Sequence, residues 1–432
     1  MKLRSRYRLV IVTLLAFGLI AAVAPFWLKE WVESITDNPT LDKIHAVSQG
    51  LGFLSLPSVP VTLVRIDDQS FEAWQRPFPI TKAIIAGLIE KARTSSPRAI
   101  LVDLDISAGG GKDADVLHDL LDRWRPSDPP LLFPRELSFD PDGNSLPASP
   151  SDFDMHFKAG KPLFWVNVLF EVGDGAKVRN WNLWEVPKGA CQALLSPAIL
   201  SYAFKLGGAA MVETAQRYLG SRDGVGCARE GQDMPSAVPR WLSDAEKSSA
   251  IQFSFPKSDT AMSAMMVEDG HVPALIQLSG YQFAQRPIAA SALADRFVII
   301  GNSYASNGDF HDTPIGEMEG MRVIANAVAN STKAIAAAEY PTKAAVILSS
   351  MFLAGLVAFL TFTFKSLISA PLALLVGIVV YTACNINLGA AAAQSVVQYA
   401  IVIWVLVIAL ESVESICRGF LEGRSWRSFL NG

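Results

Sequence analysis

Three short stretches of this 432-residue chain place acidic side chains where they could act together: Asp67 and Asp68, Asp103 and Asp105, then Asp309 and Asp312 with His311 between them. Ser70, Asn302 and Ser303 lie close by and add neutral hydrogen-bonding groups. Carboxylate oxygens with one imidazole suit a hard divalent cation. Hydrolysis at such an ion would also need an open coordination position and a general base. The same residue types have a plainer use, because Asp at a strand end caps helices and closes turns. Two roles therefore stand open for Asp67, Asp68, Ser70, Asp103, Asp105, Asn302, Ser303, Asp309, His311 and Asp312: a ligand- or cation-binding edge, or local scaffolding.

Each stretch follows an apolar run. Val61–Ile66 is β-rich and ends at Asp67. Thr81 can cap a helix whose apolar face is Ile84, Ile85, Leu88, Ile89 and Ala92. Arg98–Val102 is a second strand ending at Asp103. Phe297–Ile300 is a third, closing on Gly301-Asn302-Ser303. Runs this continuous in apolar residues suit strands buried on both faces of a parallel sheet. A β-α-β unit with parallel strands carries both acidic ends to one sheet edge. The expected fold is α/β with a mainly parallel central sheet. Ligands of such sheets gather at the carboxyl ends of the strands, where the loop after Ile300 would lie.

The middle of the chain is less legible. Gly109-Gly110-Gly111-Lys112 fails the phosphate-loop pattern, because Asp113 follows the lysine. Asp115–Trp124 is an expected helix, Leu131–Phe133 and Leu163–Phe170 are expected strands, and Gly173-Asp174-Gly175 is an expected hairpin turn. Trp181 and Trp184 would close a small core rather than line a pocket. Ser196–Tyr202 should open a helix, and Ile251–Phe255 has strand periodicity. Cys191 and Cys227 are the cysteines of this region and are expected to pair if it lies outside the cytoplasm.

Half of the residues are hydrophobic (50%), only 18% are charged, and the mean hydropathy is +0.29, which points to membrane spans. A net charge of -4 and no basic stripe exclude a nucleic-acid footprint. Lys2, Arg4, Arg6 and Arg8 precede an uncharged run at 9–28, about 20 residues and long enough to span. Blocks at 344–364, 367–382 and 388–410 complete four expected spans. With basic flanks inside, residues 1–8 and the tail 411–432 are cytoplasmic, and 29–342 form the extracytoplasmic domain. This places the chain in a bacterial inner membrane, with an all-α membrane region beside the α/β domain.

With these elements in order, the chain resembles the extracytoplasmic sensory domains called CHASE, type 2. Val64-Arg65-Ile66-Asp67-Asp68-Gln69-Ser70, Pro79 and Ala99-Ile100-Leu101-Val102-Asp103 carry the resemblance at one end of the domain. Val298–Ser303, Asp309, Thr313-Pro314, Gly320 and Ala325-Asn326-Ala327 carry it at the other. Ile80-Thr81-Lys82 departs from the aromatic-proline-arginine turn of that family. The resemblance implies a sensor, usually with a kinase, cyclase or phosphatase after the last span; here no kinase or phosphate-loop motif occurs. The expected function is a non-enzymatic membrane sensor that binds an unknown extracytoplasmic ligand or partner and passes the signal to a separate protein. A structural subunit of a larger membrane assembly is the alternative, and a metal-dependent hydrolase a third class. No cofactor is expected. Association with itself or another protein would run through the membrane helices and tail, alongside membrane lipid.

Overall fold

The computed structural model describes residues 59–106, 113–157, 160–172, 176–224, 227, 239–243, 247–251, 253–255 and 274–337. The chain enters through β1 (Val61–Ile66) and passes α1 (Asp68–Ala73), α2 (Lys82–Arg93), β2 (Ala99–Asp103), α3 (Ala114–Asp122) and β3 (Leu131–Pro134) to a 3-10 turn (Asp152–His156) and β4 (Leu163–Val166). An insert follows: β5 (Phe170–Val172), β6 (Val178–Asn182), β7 (Trp184–Glu185), β8 (Leu194–Leu195), α4 (Pro197–Asp223), α5 (Arg240–Ser243) and β9 (Ser248–Ala250). The chain returns with β10 (Leu275–Ser279), α6 (Gly280–Gln285), β11 (Phe297–Asn302), β12 (Phe310–Thr313), β13 (Gly316–Glu319) and α7 (Gly320–Ala337).

The central sheet is parallel throughout, in the order β10-β1-β11-β2-β3-β4. The three expected central strands are all interior. β11, from the far end of the sequence, lies between β1 and β2. Alternate residues serve two core layers. Leu63, Leu101 and Ile299 face the layer of α4 and α7, with Trp181, Trp184, Ile199, Val212 and Ile324. Val64, Ile100 and Ile300 face the layer of α2 and α3, with Ile85, Leu88, Leu117 and Leu120. Both faces are thus covered, which is why the strand sequences are apolar without alternation. Trp181 and Trp184 are fully buried, as core residues are.

Local signals act as their chemistry requires. Thr81 Oγ1 accepts from the Ile84 amide and starts α2. The Cys191–Cys227 disulfide is formed and ties the approach to β8 to the end of α4. Two strand expectations need correction. Leu163–Phe170 is split into β4 and β5, which belong to different sheets. Asn167 makes the break: its amide bonds to the Leu195 carbonyl, and its side chain joins Asn182 and Leu169. Near Ile251–Phe255 the paired strand is Ser248–Ala250, while Ile251, Phe253 and Phe255 are buried in the core. Gly109–Lys112, Gly173–Gly175, residues 29–58 and the expected spans 9–28, 344–364, 367–382 and 388–410 lie outside the described residues. Among the described residues no helix is long and apolar enough to cross a membrane.

Candidate functional site

Parallel strands bring their carboxyl ends to one edge, and strand register sets which side chains stand side by side there. Arg65 is level with Gly301, and Gly301 with Asp103. The three belong to the α7 face of the sheet. A Cβ at position 301 would sit 3.2 Å from the Asp103 Cβ and 3.5 Å from the Met321 Cβ. The glycine therefore keeps this row close against α7.

The antiparallel hairpin of β12 and β13 follows the same edge. The Asp309 carbonyl accepts from the Gly320 amide at 3.0 Å, and the Asp309 carboxylate is 3.0 Å from His311 Nε2. Gly320 is the first residue of α7, and a Cβ there would meet the Asp309 carboxylate oxygens at 2.3 and 2.5 Å. The absence of a side chain lets Asp309 sit against the helix start. Phe170 contacts the His311 ring edge-on, with centroids 5.6 Å apart.

Asp103 is the electrostatic focus of this edge. Burial raises its carboxyl to about 7, the Asp309 charge pushes in the same direction, and His311 opposes both. The unfolded value is near 3.8, so the folded chain favours the protonated form. That contribution is complete below about pH 4 and is lost as pH rises through about 7. Asp103→Asn keeps the site neutral at every pH. It should match wild type near pH 4 and exceed its stability by about 2–4 kcal/mol above pH 7, because each tenfold change in proton affinity is worth about 1.36 kcal/mol. Thermal unfolding of the purified chain between pH 4 and 8 measures this. Parallel pH curves for the two proteins would contradict it.

Beside Asp103 runs a polar network whose pairings the sequence does not name. Arg65 Nη2 donates to Glu319 Oε1 at 2.7 Å, Nε to Ser303 Oγ at 3.2 Å and Nη1 to Gln277 Oε1 at 3.2 Å. Arg322 Nη2 also donates to Gln277 Oε1, at 2.8 Å, and its Nε is 3.8 Å from Glu319 Oε2. Arg65 is visible in the sequence as a charge inside an apolar strand. Such a charge requires a partner, but nothing local names Glu319 as that partner.

The remaining expected residues separate by face. Asp67 Oδ1 caps α1 by accepting from the Ser70 amide at 2.8 Å, and also accepts from the Ser70 and Ser279 hydroxyls. Ser70 Oγ accepts from the Tyr281 amide at 2.9 Å, which ties α1 to α6. Asp68 accepts from the Ala305 amide at 3.0 Å. These contacts tie α1 to α6 and to the segment after β11. Asp105 is exposed; its charge partly offsets the burial that lowers the Lys82 pKa. Asn302 ends β11, and Asp312 is exposed opposite Glu317. Asp103, Asp309 and His311 are thus brought together, whereas Asp67, Asp68 and Ser70 are engaged elsewhere. Among the described residues no group of three His, Cys, Asp or Glu converges in a way that could hold a metal ion.

A family model described as the CHASE2 domain matches residues 12–363 of this chain. Neither the curated proteins nor the solved structures returned a match.

Proposed function

The chain belongs to the CHASE2 domain family, and from that premise we propose a membrane-bound sensor whose carboxyl sheet edge takes up the stimulus and whose α7 carries it toward the membrane. CHASE2 is an extracytoplasmic sensory domain family, so residues 29–342 are assigned outside the cytoplasm, with spans at 9–28, 344–364, 367–382 and 388–410. The signal passes to a separate membrane or cytoplasmic protein through the spans and the tail 411–432. No catalytic role is assigned to the acidic edge.

One observation carries the reading: α7 connects the two poles of the sheet. It starts at Gly320, against Asp309 and directly after Glu319, at the carboxyl edge. At the opposite edge the Ala329 carbonyl accepts from the Val59 amide, just before β1. The intervening turns cover about 15 Å at 1.5 Å per residue. The chain coming from the first expected span and the helix leading to the second therefore meet at one pole. The Asp103 cluster and the Arg65–Glu319 pair sit at the other, distal from the membrane in this arrangement. Met321, Ile324 and Val328 are fully or almost fully buried in the α4 and α7 core layer, so α7 is packed to move with the sheet.

Gly320→Ala tests this coupling. The added methyl must displace the Asp309 carboxylate, whereas an alanine at Gly87 in α2 meets nothing within 4 Å. A photocrosslinker placed in the tail of the full chain in native membranes reads the output. Gly320→Ala should change the set or yield of adducts at least about twofold, and Gly87→Ala should not, since a population shift needs a differential interaction with the two states. Identical adducts in all three proteins would favour a structural subunit with a constant partner.

A further inference from the structure

On the opposite face of the sheet lies a second titratable cluster, separate from the Asp103 edge. His118 is in the middle of α3 and His156 ends the 3-10 turn Asp152–His156. Their rings meet with His118 Nδ1 2.7 Å from His156 Nε2. The other nitrogen of His156, Nδ1, is 3.0 Å from Asp122 Oδ1. His118 also stacks on Phe153 of the turn, with centroids 4.4 Å apart. His156 is only 4% exposed and Phe153 is fully buried.

From this geometry we propose that the His118–His156 contact is an acid-sensitive latch, closed while the pair holds at most one positive charge and opened by the second proton. Asp122 accepts only, so His156 Nδ1 keeps its hydrogen. The ring-to-ring contact then needs one donor and one acceptor. Neutral His156 can accept from His118, or charged His156 can donate to neutral His118. Two imidazolium rings would set N–H against N–H across the 2.7 Å contact and place two charges side by side. The contact thus survives the first proton and fails at the second, and the two steps belong to the pair rather than to either ring.

The surroundings oppose the second charge. Burial, His118 and Lys161 all lower the His156 pKa, against Asp122. Lys161 Nζ donates to the Leu121 and Asp122 carbonyls at 3.1 and 2.9 Å. Lys82 Nζ of α2 lies 6.0 Å from the centroid of the Phe153 ring, with the charge of Asp105 acting on it. On the turn, Asp154 is held by Arg135 at 2.7 Å and does not reach the rings. Asp115 and Asp119 on α3 and Asp152 on the turn are the remaining ionisable side chains of the two elements. Opening frees the turn from α3 and exposes Phe153, which gives the extracytoplasmic domain a response to acid separate from the Asp103 edge.

The test is hydrogen exchange of the full chain in lipid nanodiscs, from pH 7.5 to 4.5, corrected for the intrinsic exchange rate. In wild type, amides 151–157 should lose protection by roughly tenfold per pH unit once the second proton binds. His118→Phe keeps the stack on Phe153 but cannot be charged. His118→Asn offers an amide donor to His156 Nε2 and does not titrate either. The acid loss in the variants that hold the turn at pH 7.5 should be clearly smaller than in wild type, because only His156 can then be charged, and burial and Lys161 oppose that charge without a second imidazolium. Flat protection in wild type overturns the latch. So does an equal acid loss in either variant, or loss of protection at pH 7.5 in both.

Discussion

Replacing Cys191 and Cys227 together by serine is expected to cost the α/β domain about 4 kcal/mol. The bond closes a loop with a sequence separation of 36 residues, and in the chain-entropy picture that stabilises by about 3–4 kcal/mol. The loop contains α4, whose far end is pressed on the chain beside Cys191. A Cβ at Gly220 would lie 2.3 Å from the Cys191 carbonyl oxygen. The disulfide therefore holds a backbone approach that only glycine permits, and Leu219 just before it is fully buried. Against a net stability of about 5–15 kcal/mol, the loss is a large fraction. Chemical unfolding of the full chain in detergent, with and without the pair, measures it. The double variant and the reduced wild type should unfold at the same, lower denaturant concentration. A midpoint equal to that of the oxidised wild type would contradict the prediction.

Arg65→Met should lower stability by about 3 kcal/mol. The side chains of Arg65 and Glu319 are 17% and 14% exposed. Breaking a buried pair from one side costs about 3–5 kcal/mol, because the remaining charge stays desolvated. Arg322, 3.8 Å from Glu319, keeps the loss toward the lower end. Gln277 and Ser303 also lose a donor. The double variant Arg65→Met/Glu319→Gln should recover much of the loss, and the cycle should show a coupling of about 1–3 kcal/mol. Additive effects would mean that the pair contributes only as two separate surface charges.

What the sequence reveals divides along physical lines. β1, β2 and β11 are legible because strands buried on both faces must be apolar at every position, and theirs nearly are. Thr81 and Asp67 are legible because caps act over three residues. The disulfide follows from cysteine parity and compartment. Interactions across long separations leave no local mark. Nothing near Phe297 shows that β11 will enter between β1 and β2. Asn167 looks like one polar residue in a strand, and becomes a break only because Asn182 and Leu195 are positioned to bond it. In the same way His118 and His156 read as two unrelated histidines until α3 and the 3-10 turn bring their rings together. Of the candidate site, Asp103, Asp309 and His311 are legible from their strand ends. Glu319, Gln277 and Arg322 are not, since each sits in a segment whose own pattern is satisfied without it.

In the proposed sensor, α7 is the mechanical link between the carboxyl edge and the membrane. Hydrogen exchange of the full chain in lipid nanodiscs tests that link most directly, comparing Gly320→Ala with Leu120→Ala. The second variant leaves a cavity in the other core layer, with a loss of about 2–5 kcal/mol, and so controls for lowered stability alone. If α7 transmits the change, Gly320→Ala raises exchange in the hairpin 310–319, along 320–337 and on into 344–364, while Leu120→Ala leaves 344–364 as in wild type. If the effect of Gly320→Ala ends within 310–319, or if both variants change 344–364 alike, α7 is not the link.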